Sequence, residues 1–263
     1  MEYLVFRLYG PMASWGEIAV GVNRHTARYP SKSALLGLLG AALGISREDE
    51  ESQQDLFDYY AIAIKTVSCG SLLKDYHTTQ VPNSKVKFRF RSRRDELVVG
   101  WEQLDAVVSS RAYRTDAQAI VAVSARAGAC WSLGQLQEAL QRPKYQLYLG
   151  RKACPLAAPL QAEIIAGDGF YTALNNYQPK PLLIGQPDWV SEQRYLKPDA
   201  VCHFYWQGSL AEFTGQSLQI PPQAVQQLVR HDQPLSRTRW QFQPRQENLW
   251  LRPLAELSDK EKV

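Results

Sequence analysis

The order of the periodic segments constrains this chain more than any single motif. Tyr3 to Tyr9 (YLVFRLY) is an apolar strand closed by Gly10-Pro11. A loop containing Gly, Arg and Trp follows. Pro30-Ser31-Lys32-Ser33 then opens a helix over Ala34 to Leu43, stopped by Gly44. Gly37, Gly40 and Gly44 share roughly one face of it, a pattern that suits close packing on a sheet, and they do not form a GxxxxGK[ST] phosphate loop. Gln53 to Tyr59 adds a short helix. Tyr60 to Val67 alternates as a strand, and Ser71 to Thr78 reads as its partner. Gln118 to Ser124 is a further strand, Ser132 to Gln141 a helix stopped by Pro143, and Leu160 to Ala166 another strand.

With residues 79–115 set aside, the order is strand, helix, strand, strand, helix, strand. That split βαβ order predicts an α+β, ferredoxin-like domain over residues 1–166. Residues 79–115 are an insertion between its second and third strands. They are too long for an ordinary hairpin loop, and such loops are usually functional or disordered. Residues 167–263 are richer in Gln, Pro and Trp. They predict a small β-rich C-terminal appendage, with strands at Val201–Trp206 and Arg239–Phe242, a short helix at Ala224–Arg230 and a frayed end at Lys260–Val263.

The insertion carries the strongest charge signal. Six cations fall in ten residues at Lys85, Lys87, Arg89, Arg91, Arg93 and Arg94, with no acid among them. The first five occupy every second position, and Val86, Phe88 and Phe90 lie between. An extended segment would carry a basic ridge and an apolar face, with cations recurring at about 6.6 Å. The periodicity predicts a projecting basic β-hairpin, with Leu97-Val98-Val99 as its return strand. Two readings fit: a ridge that tracks a phosphate backbone, or an edge strand protected by charge. Six phosphate contacts on a single strand imply a salt slope of about −4 and a roughly 300-fold loss of affinity between about 50 and 200 mM salt. Two contacts imply under about tenfold. Phe88 and Phe90 either stack on bases or pack on the domain, opposite the cations.

The net charge is only +4, so local clustering rather than overall charge carries a nucleic-acid reading. Other basic clusters are Arg24–Arg28, Arg151–Lys152 and Arg237–Arg239. Hydrophobic residues make up 45 % of the 263, enough for a sizeable core. Met1-Glu2 and Arg7 do not fit a secretory leader, and the longest apolar run, Leu35 to Ile45, is eleven residues, too short to span a bilayer. The four cysteines are scattered without CxxC spacing, which fits reduced thiols in a cytoplasmic protein and no structural zinc.

Several blocks carry a resemblance: Arg7–Gly16 (RLYGPMASWG), Arg28–Ser33, Leu35–Gly44, Lys74–Thr78, Arg111–Ala117 and Pro143–Pro155. In that order they resemble the CasD family, the CRISPR-associated RAMP-superfamily subunits of type I-E Cascade complexes. The likeness is strong through about residue 166. It implies a ferredoxin-like (RRM/RAMP) body with a thumb, placed at residues 79–115. It further implies a non-catalytic subunit that holds the 5′ handle of the CRISPR RNA and caps the backbone filament in antiviral defence. The implied partners are that RNA, the backbone, large and small subunits, and target DNA through the complex; no cofactor, metal or membrane is implied.

The candidate RNA-binding residues follow. Lys85, Lys87, Arg89, Arg91 and Arg93 belong to the thumb, and Arg111 lies on its far side. Arg24, His25 and Arg28 precede the helix that opens at Ser31, Lys32 and Ser33, whose free amides suit a phosphate; a simple Ser cap is the other reading. Tyr145 and Tyr148 suit base stacking and Arg151 and Lys152 phosphate, with ordinary packing as the alternative. Trp15 is a stacking residue or a core residue. Lys74, Tyr76 and His77 carry the competing function, metal-independent cleavage of CRISPR repeat RNA. Histidine serves as base or acid near neutral pH, and lysine stabilises the charged phosphorane.

Overall fold

Strand β1 (Glu2–Tyr9) is buried along almost its whole length. Its side chains alternate between two cores: Leu4, Phe6 and Leu8 enter one, Tyr3 and Val5 the other. A strand apolar on both faces must lie inside a sheet covered on both sides. The computed structural model describes every residue except 184, 237, 238, 240 and 256–263. In chain order its elements are β1, β2 (Met12–Ala13), β3 (Asn23–Arg24), α1 (Lys32–Leu43), α2 (Glu50–Tyr59), β4 (Tyr60–Ser68), β5 (Ser71–Pro82), α3 (Arg93–Leu97) and β6 (Leu104–Thr115). Then come β7 (Gln118–Ala125), α4 (Leu133–Gln141), β8 (Glu163–Ala166), α5 (Phe170–Asn176), α6 (Trp189–Glu192), β9 (Val201–Trp206), α7 (Leu210–Thr214), β10 (Val225–Ser236) and β11 (Gln241–Pro253).

Seven strands form an antiparallel sheet in the order β10-β11-β9-β4-β7-β1-β8. Helices α1, α2 and α4 cover one face, where Leu35, Leu39, Leu56 and Leu136 meet Leu4, Phe6 and Val121. Helices α5 and α7 cover the other, where Phe170, Leu174 and Phe213 meet Tyr3, Phe204 and Trp206. Ser31 caps α1 and Gly44 ends it at φ 80°, a left-handed conformation that suits glycine. The three glycines of α1 do not share a packed face: Gly40 lies against Leu56, whereas Gly37 looks into open space.

Four expectations give way. Ser71 to Thr78 is not the partner of β4. Gly70, at φ 62°, turns β5 out of the sheet, and β5 pairs instead with β6 along twelve residues. The reason is polarity: SLLKDYHTTQVP is mostly exposed, with no buried residue, and such a strand has no place beside β4 in the part of the sheet buried on both faces. Leu97-Val98-Val99 is not the return strand, because Ser92 caps a short helix there and the return begins at Leu104. Ala224–Arg230 is not a helix. Its apolar residues fit helical spacing, but pairing with β11 overrides local preference. The C-terminal strands do not stand apart, since β9 pairs with β4 and brings β10 and β11 into the same sheet. Arg237, Trp240 and Lys260–Val263 lie outside the described residues.

Two buried charged groups join the C-terminal half to the first. Arg7 on β1 donates to Glu192 and to Gln118, both at 2.8 Å, and its guanidinium lies 4.1 Å from the Trp189 ring. Glu192 also accepts from the main-chain N–H groups of Leu182 and Leu183. At the other end, β10 and β11 fold over α1. Arg245 bridges Asp232 at 2.6 Å and Glu247 at 2.7 Å, Tyr29 donates to Glu247, and the Ser33 N–H donates to Asp232. Lys32 is buried beside this cluster and donates to the Phe57 carbonyl (2.9 Å) and to Gln207 (3.1 Å). Burial first, then the nearby Arg245 and Arg126, lower its ammonium from the ordinary 10.5 to about 8, against the pull of Asp232 and Asp58.

Removing one partner of a buried pair leaves an uncompensated charge. Glu192→Gln should therefore lower unfolding stability by about 3–5 kcal/mol in denaturant titration. Arg7→Met with Glu192→Leu should recover most of that loss. A single variant as stable as the parent would show the pair to be idle. Lys32 gives a pH signature. Between about pH 8 and 10.5 the unfolded chain holds the Lys32 proton and the folded chain does not, so stability rises with pH across that window. Below the window the folded state bears the full penalty. The parent minus Lys32→Met difference should grow by about 3 kcal/mol across it, and a flat difference would refute the buried ammonium.

Candidate nucleic-acid interface

Strands β5 and β6 pair from Ser71↔Thr115 to Pro82↔Leu104 and form an exposed two-stranded arm. At about 3.3 Å per residue its reach approaches 40 Å. On the inner end of β6, β2 pairs with Arg114 and Thr115, and β3 with Ser110 and Arg111. Beyond Pro82 the chain changes character. The Asn83 N–H donates to the Gln103 carbonyl at 2.9 Å, and the Asn83 side chain accepts from the Lys85 N–H at 3.1 Å. That turn ends strand pairing, so residues 83–92 form no strand.

The expected regular ridge is therefore absent from this structure. Lys85, Lys87, Arg89, Arg91, Arg93 and Arg94 are all exposed, gathered at the tip of the arm. Arg93 is held by Glu96 (2.5 Å) and the Gln80 carbonyl, which fastens α3 to β5. Phe88 does not pack on the body; it is 64 % exposed, and its ring meets Phe90 edge-on at 5.4 Å.

The pairing also sorts Lys74, Tyr76 and His77. Lys74 and Tyr76 point to one face of β5; Asp75 and His77 point to the other. His77 pairs with Asp75 across two residues of the strand. Three groups that act on one phosphate must converge, and these diverge. The face that holds Asp75 and His77 gains cations from elsewhere. Arg111 lies opposite Asp75, and Arg24 lies beside Arg111 in parallel register. Arg151 lies 4.9 Å from the ring of Tyr113, two residues further along the same face of β6. Four distant segments thus place Arg24, His77, Arg111 and Arg151 along one side of the arm's root. His25 and Arg28 are exposed beside them, as is Lys152.

A second feature is a groove of about 510 Å³ along α1. Ser33, Ala34, Gly37 and Ala41 form its floor, and Arg47, Gln53, Tyr145 and Tyr148 its walls. The N–H groups of Lys144 and Tyr145 donate to the carbonyls of Ala42 and Ala41, which hooks the tyrosine loop onto the end of α1. Tyr145 is 53 % and Tyr148 37 % exposed. At the loop's end Gly150 sits at φ 84°, and a Cβ there would strike the Ser14 carbonyl.

Three expected contacts are placed inward. Trp15 is a core residue, 5 % exposed. Lys32 is buried with its ammonium engaged, and Ser31 caps α1 while its own hydroxyl meets Ser33. With the Ser33 N–H bonded to Asp232, the start of α1 is already satisfied without a phosphate. Arg47 and Gln53 escaped the sequence reading because nothing local marks them. Gly37, assigned to packing, was the available clue to an open face. Among the described residues no cluster of His, Cys, Asp and Glu suits a metal ion, and no helix is long and apolar enough to cross a membrane.

Comparison with known proteins places this geometry. The chain is 34 % identical over 178 residues to the CRISPR system Cascade subunit CasD of Escherichia coli (strain K12), spanning 68 % of this chain and 78 % of that one. Its fold is similar to a chain of a CRISPR RNA-guided surveillance complex, with TM-score 0.58, 21 % identity and coverage of 95 % of this chain and 89 % of that chain. It is also similar to a crystal structure of a Cas protein, with TM-score 0.54, 22 % identity and 95 % coverage of both chains. Residues 3–247 match the family described as CRISPR-associated protein (Cas_Cas5). A basic arm on a two-faced sheet is thus the form that this sequence gives to a member of the Cas5 family of CRISPR-associated proteins.

Proposed function

We propose that the chain is a non-catalytic RNA-binding subunit of a type I-E Cascade complex, holding the 5′ handle of the CRISPR RNA and capping the backbone filament. The observation that carries this reading is the exposed cation cluster at the tip of the β5–β6 arm, on a chain 34 % identical to a Cascade subunit. The arm is the thumb. The body is ferredoxin-like, a reading supported by the strand order β4-β7-β1-β8 with α1 and α4 on one face. Tip cations neutralise phosphates near the first guide bases. Arg24, Arg111, Arg151 and their neighbours hold the handle backbone at the arm's root, and Tyr145 and Tyr148 stack on its bases. The backbone, large and small subunits and, through them, target DNA are its partners, in a cytoplasmic assembly.

The competing ribonuclease reading loses its geometry, because Lys74 and Tyr76 lie on the opposite face of β5 from His77.

Two experiments test these readings. Replacing Lys85, Lys87, Arg89 and Arg91 with Ala should weaken guide-RNA retention and reduce the magnitude of the salt slope by about 3. Charge reversal at the same four positions should release the guide. Retention and slope matching the parent would remove the tip from the interface. Repeat RNA incubated with purified protein in EDTA should stay intact at every pH from about 6 to 8, the range in which histidine chemistry operates. Cleavage abolished by His77→Ala would replace the binding reading with the catalytic one.

A further inference from the structure

The segment with the clearest strand pattern in the sequence is not a strand in the structure. Lys85 to Arg91 alternates cation and apolar residue without a break, and no Gly or Pro occurs from Ser84 to Val99. Val86, Phe88 and Phe90 are β-branched or aromatic, the types that favour strands. Yet residues 86–90 are unpaired. Their neighbours are anchored: the Lys85 N–H donates to Asn83, the Val86 N–H to the Asn83 carbonyl, and the Arg91 N–H to Asp95. Between them, the N–H groups of Lys87, Phe88, Arg89 and Phe90 have no acceptor among the described residues. Phe88 and Phe90 lean on each other, as alternate residues of an extended chain do, with Phe88 64 % exposed.

We infer that residues 85–91 become a β-strand on assembly by adding to an exposed strand edge of a neighbouring protein subunit. This rests on the reading of the chain as a subunit of a larger assembly. Extended as a strand, the stretch between the anchors would span about 16 Å, close to an ordinary strand. Its free main chain offers donors and acceptors in alternation, and a strand edge supplies the complement of both. An RNA backbone offers acceptors and no ladder of matching donors. The partner edge therefore carries apolar side chains opposite Val86, Phe88 and Phe90. The cations are left on the far face, aligned at about 6.6 Å and free for phosphate. The isolated chain lacks the ridge because the segment is paired with no edge that would straighten it.

In a strand added to one edge, only every second residue turns its N–H to the partner. Amide-resolved hydrogen–deuterium exchange reads this on the isolated chain and on the ribonucleoprotein made by co-producing the chain with the other Cascade subunits and a CRISPR RNA. On assembly one alternate pair, Lys87 and Arg89 or Phe88 and Phe90, should slow by at least about 100-fold while the other stays fast. Four fast amides, or four equally slowed, overturn the inference. Alternating protection in the isolated chain at high concentration overturns it too, by making a second copy the partner. Proline at the protected parity (Phe88→Pro or Arg89→Pro) should reduce copurification by about tenfold or more relative to Ala at the same position, and proline at the other parity should match its Ala. Both prolines matching their alanines also sinks it. The RNA content of the purified parent assembly is measured separately. An assembly without RNA that still shows alternating protection defeats the RNA-binding reading and leaves the added strand intact.

Discussion

Burial of the central sheet on both faces decides where everything else in this protein can go. Strands β1, β4 and β7 are close to continuously buried, and neither face has room for a polar strand. The polar strand Ser71 to Pro82 turns out of this central region at Gly70 and pairs outside the sheet. It finds β6, and an exposed arm results. The arm is thus a consequence of core composition and needs no strong turn signal of its own. Its inner end is pinned by β2 and β3, short strands drawn from the loop between β1 and α1. That pinning brings Arg24 beside Arg111, a juxtaposition that neither residue's surroundings in the sequence would suggest.

The same constraint explains how the C-terminal half attaches. Once β5 has left, β4 keeps a free edge, and β9 fills it. Hairpin β10–β11 then continues the sheet and folds over α1, where an Arg–Asp–Glu cluster closes on the helix start. Burying these charges is expensive unless each is answered, and here they are answered by one another. The arrangement trades an anion site at α1 for a joint between the two halves. Arg7 and Glu192 form a second such joint on the opposite side of the sheet.

The first half was legible in the sequence because its signals are local and agree. β1, β4 and β7 are compact apolar runs, α1 is an apolar run between a Ser cap and Gly44, and α4 carries a full capping box at Ser132 and Gln135. The partner of β4 was not legible, since adjacency in sequence favours a hairpin and only the burial of both faces forbids it. β10 misled because its first apolar residues fall at helical spacing, and the residues that pair with Val225–Arg230 lie fifteen or more positions further on. In the site, cations exposed on a tip could be read from charge alone. Lys32 could not, because a lysine between two serines at a helix start looks identical whether it faces water or, as here, the Phe57 ring. Arg47 and Gln53 join the groove only through tertiary placement.

The basic segment is the informative disagreement. Local preference and periodicity at Lys85–Arg91 both ask for a strand, yet among the described residues the segment pairs with no strand edge. Elsewhere in the chain such conflicts resolve by strand pairing, as in β10, where β11 imposes its geometry. Here no strand of the described chain imposes one. β5 stops at Pro82, which cannot donate to a ladder, and the Asn83 turn diverts the chain. A sequence that keeps strand alternation over seven residues, at the end of an arm reaching away from its own core, is consistent across levels once an edge on another molecule completes it.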